Sequence, residues 1–210
     1  ESIARAAAGF ARSIVFVGSA GLASALPRAT TGASTSSFRD DERGPAVRPV
    51  LAVVGSLNPV SQAQADRVVE DGTRCFTVSP DSPDCVPAIT QALSTTGRAV
   101  LVSDRQSRAT DADEIAGTLG AVTARVLGTV ERLSLILTGG DTAVAVANAL
   151  SVTQVEVVGE YLPGIPRVVI RAGGRTIPAA TKAGGFGEPD AMSRLMTDRK
   201  STRLNSSHYS

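Results

Sequence analysis

From Val50 onward, short and fully apolar runs alternate with stretches of helical periodicity. The run VLAVV (50–54) reads as a buried strand and GSLNP as a turn, and 60–71 predicts a helix with Pro59 at its first position. RCFTV (74–78) and AVLVS (99–103) are the next strands, with a short helix over 84–95 between them. Over 111–127 the helical pattern is clearest: Ile115, Leu119, Val122 and Val126 share one face, and Asp111 and Glu114 suit the first turn. LSLIL (133–137) is the most fully apolar strand, and 142–150 is the next helix. QVEVV (154–158), RVVI (167–170) and TIPAAT (176–181) follow as strands without long helices between them; KAGGFG (182–187) then turns into a last helix over 190–197. Upstream, IVFV (14–17) is a short β-branched run ending in Gly18-Ser19. Residues 27–49, rich in Ser, Thr, Gly and charge, read as a long mobile loop.

Apolar runs without two-residue alternation belong to strands covered on both faces, which is the signature of a parallel sheet. The predicted fold class is therefore α/β: a layered, mostly parallel sheet with helices on both faces and a few extra C-terminal strands. Those extra strands form either an antiparallel edge or a small appended sheet.

Composition narrows the chemistry. Of 210 residues, 21 are basic and 20 acidic, so there is no charged face for nucleic acid. Aromatics are 3% with no Trp, which argues against base-stacking platforms. Cys75 and Cys85 are the two cysteines and have no CxxC spacing, so they read as unpaired thiols of a reducing, cytoplasmic protein. No apolar stretch has the length of a membrane span. His208, close to the C-terminus, is the single histidine, which removes Ser-His-Asp, Cys-His and HExxH chemistry. The start at Glu1 reads as a beginning within a longer protein.

What remains is a set of glycine turns at strand ends: VGSLNP after 50–54, TGGDTA after 133–137, KAGGFG after 176–181, and VGSAG after 14–17. In a parallel sheet, the ends of the strands deliver such turns to one edge, where ligands bind. A helix N-terminus there presents unpaired N–H groups to an anion, and glycine permits close backbone approach. Taken singly, such a turn means little, because a structural turn or cap explains most of them. Ser56 and Thr142 add hydroxyls to the same edge. Asp141 is either a helix cap or a carboxylate holding Mg²⁺ through water beside phosphates. Lys182 is either a solvated lysine or a cation reaching a phosphate. Glu160 reads as a strand-end carboxylate, and Gln64 and Asp66 as surface positions on their helix. GxxxxGK[ST] is absent, and no GxGxxG opens the first helix, so neither a P-loop nor a dinucleotide site is indicated.

In order, VGSAGLASAL (17–26), VVGSLNPVSQAQ (53–64), LILTGGDTAVAV (135–146), VEVVGEYLPGIP (155–166) and TKAGGFGEPDAM (181–192) resemble the C-terminal nucleotide-binding domain of the four-carbon acid sugar kinase family. The resemblance spans most of residues 1–198. It implies ATP, with Mg²⁺, as phosphoryl donor to the terminal hydroxyl of a sugar acid such as threonate, erythronate or a 3-oxo-tetronate. It also implies ATP contacts at Ser56, at Gly139, Gly140, Asp141 and Thr142, and at Gly184 and Gly185. No residue is assigned as a dedicated metal ligand. The family's N-terminal domain, with its Asp-Asp-x-Thr-Gly motif, binds the sugar acid. RDDERG (39–44) is not that motif, so the chain reads as the nucleotide half, inactive alone. An exposed apolar face is expected where the other domain packs, with a homo-oligomer as one outcome. The tail RKSTRLNSSHYS (199–210) resembles a translated adapter sequence and is set aside with His208. Two other readings stand beside the kinase: a non-catalytic nucleotide- or anion-binding α/β module, and an oxidoreductase, against which the missing GxGxxG counts.

Overall fold

A computed structural model describes residues 49–81, 84–104 and 112–197, all within one unit of the chain, Gly44–Ser210. The strand at 14–17 with its VGSAG turn, Asp111, nearly all of the polar stretch 27–49 and the tail 199–210 lie outside the described residues.

The elements run β1 (Val50–Val54), α1 (Pro59–Glu70), β2 (Arg74–Val78), α2 (Val86–Thr96), β3 (Arg98–Ser103), α3 (Ala112–Thr129) and β4 (Ser134–Thr138). Then come α4 (Gly140–Ala149), β5 (Gln154–Leu162), β6 (Ile165–Ala172), β7 (Arg175–Lys182) and α5 (Ala191–Met196). They build a seven-stranded sheet in the order β2-β3-β1-β4-β7-β6-β5. β2, β3, β1, β4 and β7 pair in parallel. β6 runs antiparallel to both β7 and β5, so the extra strands form an antiparallel edge of the main sheet and not a separate one.

Local chemistry sets the element boundaries. Asn58 caps α1: its side-chain oxygen accepts from the Val60 N–H at 2.9 Å, and Pro59 follows with its φ already suited to a first turn. α2 ends where Gly97 takes the left-handed conformation (φ 70°) and donates to Leu93 O. The end of α3 and the turn after it are capped from a distance, because the Arg175 guanidinium on β7 donates to the carbonyls of Leu127, Val130 and Glu131. This fixes the β6–β7 hairpin against the end of α3.

The central strands β1 and β4 are buried at every position, β1 as an unbroken apolar run and β4 with the buried polar residues Ser134 and Thr138 at its ends. Their alternate side chains feed two cores. Leu51, Val53, Leu135 and Leu137 pack with α2, α3 and α4. Val50, Ala52, Val54 and Ile136 pack with α1 and α5. Burying one such leucine or valine contributes about 1.5–3 kcal/mol. On α3 the buried face is turned slightly from the predicted stripe: Leu119 and Val126 are buried with Ala116, Gly120, Thr123 and Leu127, while Ile115 and Val122 are half-buried. Gly120 carries no hydrophobic signal but lets the α4 backbone at Ala145 approach closely. Exposed large apolar side chains are spread over several elements, with Leu57, Val60 and Phe186 near the turns and Val144, Val155 and Val157 elsewhere.

Candidate functional site: a cleft at the carboxyl edge of the sheet

Because β1, β4 and β7 are adjacent and parallel, their three glycine turns emerge side by side. The β1 and β7 turns lead to helices on one face of the sheet, whereas the segments after β3 and β4 lead to helices on the other. The chain parts between them, which is the topological switch point where α/β sheets bind ligands. A cleft of about 560 Å³ opens there. Its walls include Gly55, Ser56, Leu57 and Asn58 after β1, Ser103 and Asp104 after β3, Gly139–Thr142 after β4, and Gly184 and Gly185 after β7. One side is apolar: Ala112, Ile115, Ala116 and Leu119 from the first two turns of α3.

All seven sequence-predicted contact residues therefore lie on one cleft: Ser56, Gly139, Gly140, Asp141, Thr142, Gly184 and Gly185. The turns also touch one another. Gly139 N–H donates to Lys182 O at 2.9 Å, tying the β4 turn to the end of β7. A β-carbon on Gly139 would sit 3.3 Å from Ser56 Cβ, and one on Gly184 would collide with Ser56 Oγ and lie 3.1 Å from Asn58 Cβ.

At the start of α4 the cap residue is Gly139, at φ 103° and ψ 140°, a conformation that only glycine adopts without strain. It has no side chain with which to cap, and the helix's first N–H groups receive no side-chain partner. This corrects the cap reading of Asp141: the carboxylate is in the first turn and exposed at the cleft, not bonded back to the helix. Thr142 lines the cleft but is only 2% exposed, with its hydroxyl lying against Gly55.

Two further corrections concern the support of the β7 turn. Gln64, read as a surface residue, is fully buried, and its side-chain amide donates to the carbonyls of Phe186, Gly187 and Glu188 at 3.2, 3.1 and 2.8 Å. Lys182 is neither solvated nor in the cleft. It is 3% exposed, and its ammonium donates to Ser61 Oγ (3.2 Å) and to the carbonyls of Ala183 (3.1 Å), Gly184 (3.2 Å) and Phe186 (3.1 Å). Burial pushes its pKa below the usual lysine value. Asp66 is on the surface as expected. Glu160 is exposed within β5 and is not among the cleft residues.

Sequence reasoning missed Asn58, Ser103, Asp104 and the α3 wall. Ser103 is 1% exposed, lines the cleft, and its hydroxyl has no hydrogen-bond partner. Its signal was the strand end itself: SD after AVLV carries no glycine and so went unremarked. Among the described residues no group of three or more His, Cys, Asp or Glu side chains is arranged to hold a metal ion, and no helix is long and apolar enough to cross a membrane. Neither Cys75 nor Cys85 is in a disulfide.

The chain is similar to two curated D-threonate kinases. One, from Bordetella bronchiseptica, is 31% identical over 206 residues, covering 92% of this chain and 48% of that protein. The other, from Salmonella typhimurium, is 30% identical over 210 residues, covering 85% and 46%. The chain thus spans about half the length of the curated relatives it matches. Among solved structures, a domain of unknown function from Bordetella bronchiseptica, a domain-swapped dimer with bound citrate, superposes with a TM-score of 0.61 at 29% identity, covering 92% of this chain and 49% of that one. A Haemophilus influenzae protein shares the fold at a TM-score of 0.63 and 18% identity, covering 92% and 50%. The family model described as a nucleotide-binding C-terminal domain matches residues 51–192, a span that contains all seven cleft residues named from the sequence. The chain belongs to the nucleotide-binding C-terminal domain family.

Proposed function

We propose that the cleft binds ATP and that the chain is the nucleotide-binding half of a cytoplasmic kinase acting on the terminal hydroxyl of a four-carbon sugar acid. The observation that carries the reading is the uncapped start of α4 at the meeting point of three glycine turns. Its N–H groups and helix dipole favour a phosphate chain. Ser56 stands beside this helix start with a hydroxyl to offer, and the apolar α3 wall suits the base. The D-threonate kinase relatives support the substrate class, and the proposal leaves the sugar-acid site and general base to the part of such proteins that this chain does not cover. The domain-swapped Bordetella structure makes self-association part of the proposal.

Mg²⁺ is part of this proposal: the exposed Asp141 carboxylate lines the cleft, and a metal held mainly by phosphate oxygens and water takes one or two such ligands. When bound, the metal neutralises phosphate charge. The residues of this chain orient the nucleotide and exclude water from one side of it.

Gly140 decides between cradle and turn. It lines the cleft, and a β-carbon built on it would meet nothing within 4 Å. If the glycine serves only the turn, Gly140→Val leaves binding intact. If it leaves room for phosphate, calorimetric titration with a non-hydrolysable ATP analogue and Mg²⁺ gives saturable binding that Gly140→Val abolishes while the thermal unfolding transition is retained. Equal binding by both proteins would refute the cradle.

A further inference from the structure

Five carbonyls of the β7–α5 turn are drawn inward. Those of Ala183, Gly184 and Phe186 face Lys182 Nζ, and those of Phe186, Gly187 and Glu188 face Gln64 Nε2. Ser61 Oγ donates to Gly184 O at 2.6 Å while accepting from Lys182. In a trans peptide the N–H points opposite to its C=O. The amides of Gly184 and Gly185, which belong to the peptides whose carbonyls Lys182 draws inward, are therefore turned away from the ammonium. Both glycines line the cleft. Successive outward-facing amides of this kind make an anion-binding concavity.

The charge behind them is unusual. Lys182 is 3% exposed, and its hydrogen-bond partners are one hydroxyl and three carbonyls, all neutral. Its positive charge is thus neutralised by no bonded carboxylate, and water scarcely reaches it. One layer of peptide separates it from the cleft.

We infer that Lys182 is a positioning residue for the phosphates: from beneath the turn it aims the Gly184 and Gly185 amides into the cleft and adds a buried positive charge behind them, without touching the ligand. This rests on the nucleotide reading of the cleft and adds a residue to it. A cation acting in this way favours charged ligands over neutral ones, whereas a merely structural prop affects both alike.

The test uses the 210-residue chain and two probes, the ATP analogue with Mg²⁺ and adenosine. Lys182→Met is expected to keep a cooperative unfolding transition and the wild-type affinity for adenosine, and to lose about tenfold or more in affinity for the ATP analogue. Affinities that are unchanged, or that fall equally for both probes, overturn the inference. Should Lys182→Met not fold, wild-type amide resonances decide: Mg²⁺-tripolyphosphate must shift those of Gly184 and Gly185. If Gly140 and Asp141 shift and these two do not, Lys182 has no such role. Wild-type protein that binds neither nucleotide nor tripolyphosphate removes the reading of the cleft itself, an outcome distinct from binding that Lys182→Met leaves unaltered.

Discussion

Gly55, just past the end of β1, lies directly over the hydroxyl of Thr142 in the first turn of α4; a β-carbon there would collide with Thr142 Oγ1 and stand 2.8 Å from Leu119 Cδ1. Three elements far apart in sequence thus meet on the side of one backbone atom. The contact brings the β1 turn down to the start of α4 and closes the floor of the cleft.

Gly55→Ala is expected to destabilise the fold by about 1–3 kcal/mol through overpacking. Thr142→Ala removes the obstructing hydroxyl, so the double variant should be less destabilised than the sum of the two single ones. Urea unfolding of all four proteins measures the coupling, and strict additivity would show that the two sites do not press on each other.

Two glycines of α3 should respond in opposite directions. A β-carbon on Gly120 would lie 2.6 Å from the Ala145 carbonyl oxygen, a backbone atom of α4 that has nowhere to go, while one on Gly117 would meet nothing within 4 Å. Gly117→Ala is expected to stabilise by about 0.5–1 kcal/mol through helix propensity and lost unfolded-state freedom. Gly120→Ala is expected to force the helices apart at a cost of about 1–3 kcal/mol or more. Paired melting temperatures of opposite sign are the readout.

Gln64→Leu keeps the volume roughly constant but withdraws the donor shared by Phe186, Gly187 and Glu188. The carbonyls of Phe186 and Glu188 keep Lys182 Nζ and the Ala191 N–H as donors, so the loss falls mainly on Gly187 O and should cost about 1–3 kcal/mol. A surface glutamine, as the sequence suggests, would change stability by less than about 0.5 kcal/mol. Chemical denaturation separates the two outcomes.

Lys182 makes stability depend on pH. Burial lowers its pKa in the folded chain, so between the folded and unfolded values the unfolded chain binds more protons. Stability contributed by this group therefore rises with pH across that alkaline window and is flat below it. Measured against Lys182→Met, the wild-type protein should gain ground as pH is raised toward the ordinary lysine range. A difference that shrinks or stays level would mean that the ammonium is not penalised by its surroundings.

Much of the sheet was legible in the sequence. VLAVV and RCFTV coincide with β1 and β2, and the other strand and helix centres among the described residues fall where the patterns put them; β1, buried on both faces, is continuously apolar, whereas β2 is a mostly exposed edge strand. The turns were legible for a similar reason: glycine at a strand end is a backbone requirement written into the chain. The support beneath them was not. Gln64, Ser61 and Lys182 are polar residues whose partners lie 121 to 124 positions away in sequence, apart from the carbonyls of the Lys182 turn itself. A polar residue's burial depends on whether distant donors and acceptors meet it, and local periodicity contains no record of that. Ser103 and the small residues of α3 escaped because no glycine turn or apolar stripe marks them.

The sequence by itself determined a parallel α/β sheet with glycine turns at three strand ends, because covalent geometry and apolar periodicity act locally. Only the tertiary structure decided that β1, β4 and β7 are neighbours, that their turns share one cleft, and that Lys182 sits under its rim and not inside it. Strand order is set by which faces pack together, a choice made between residues scores of positions apart.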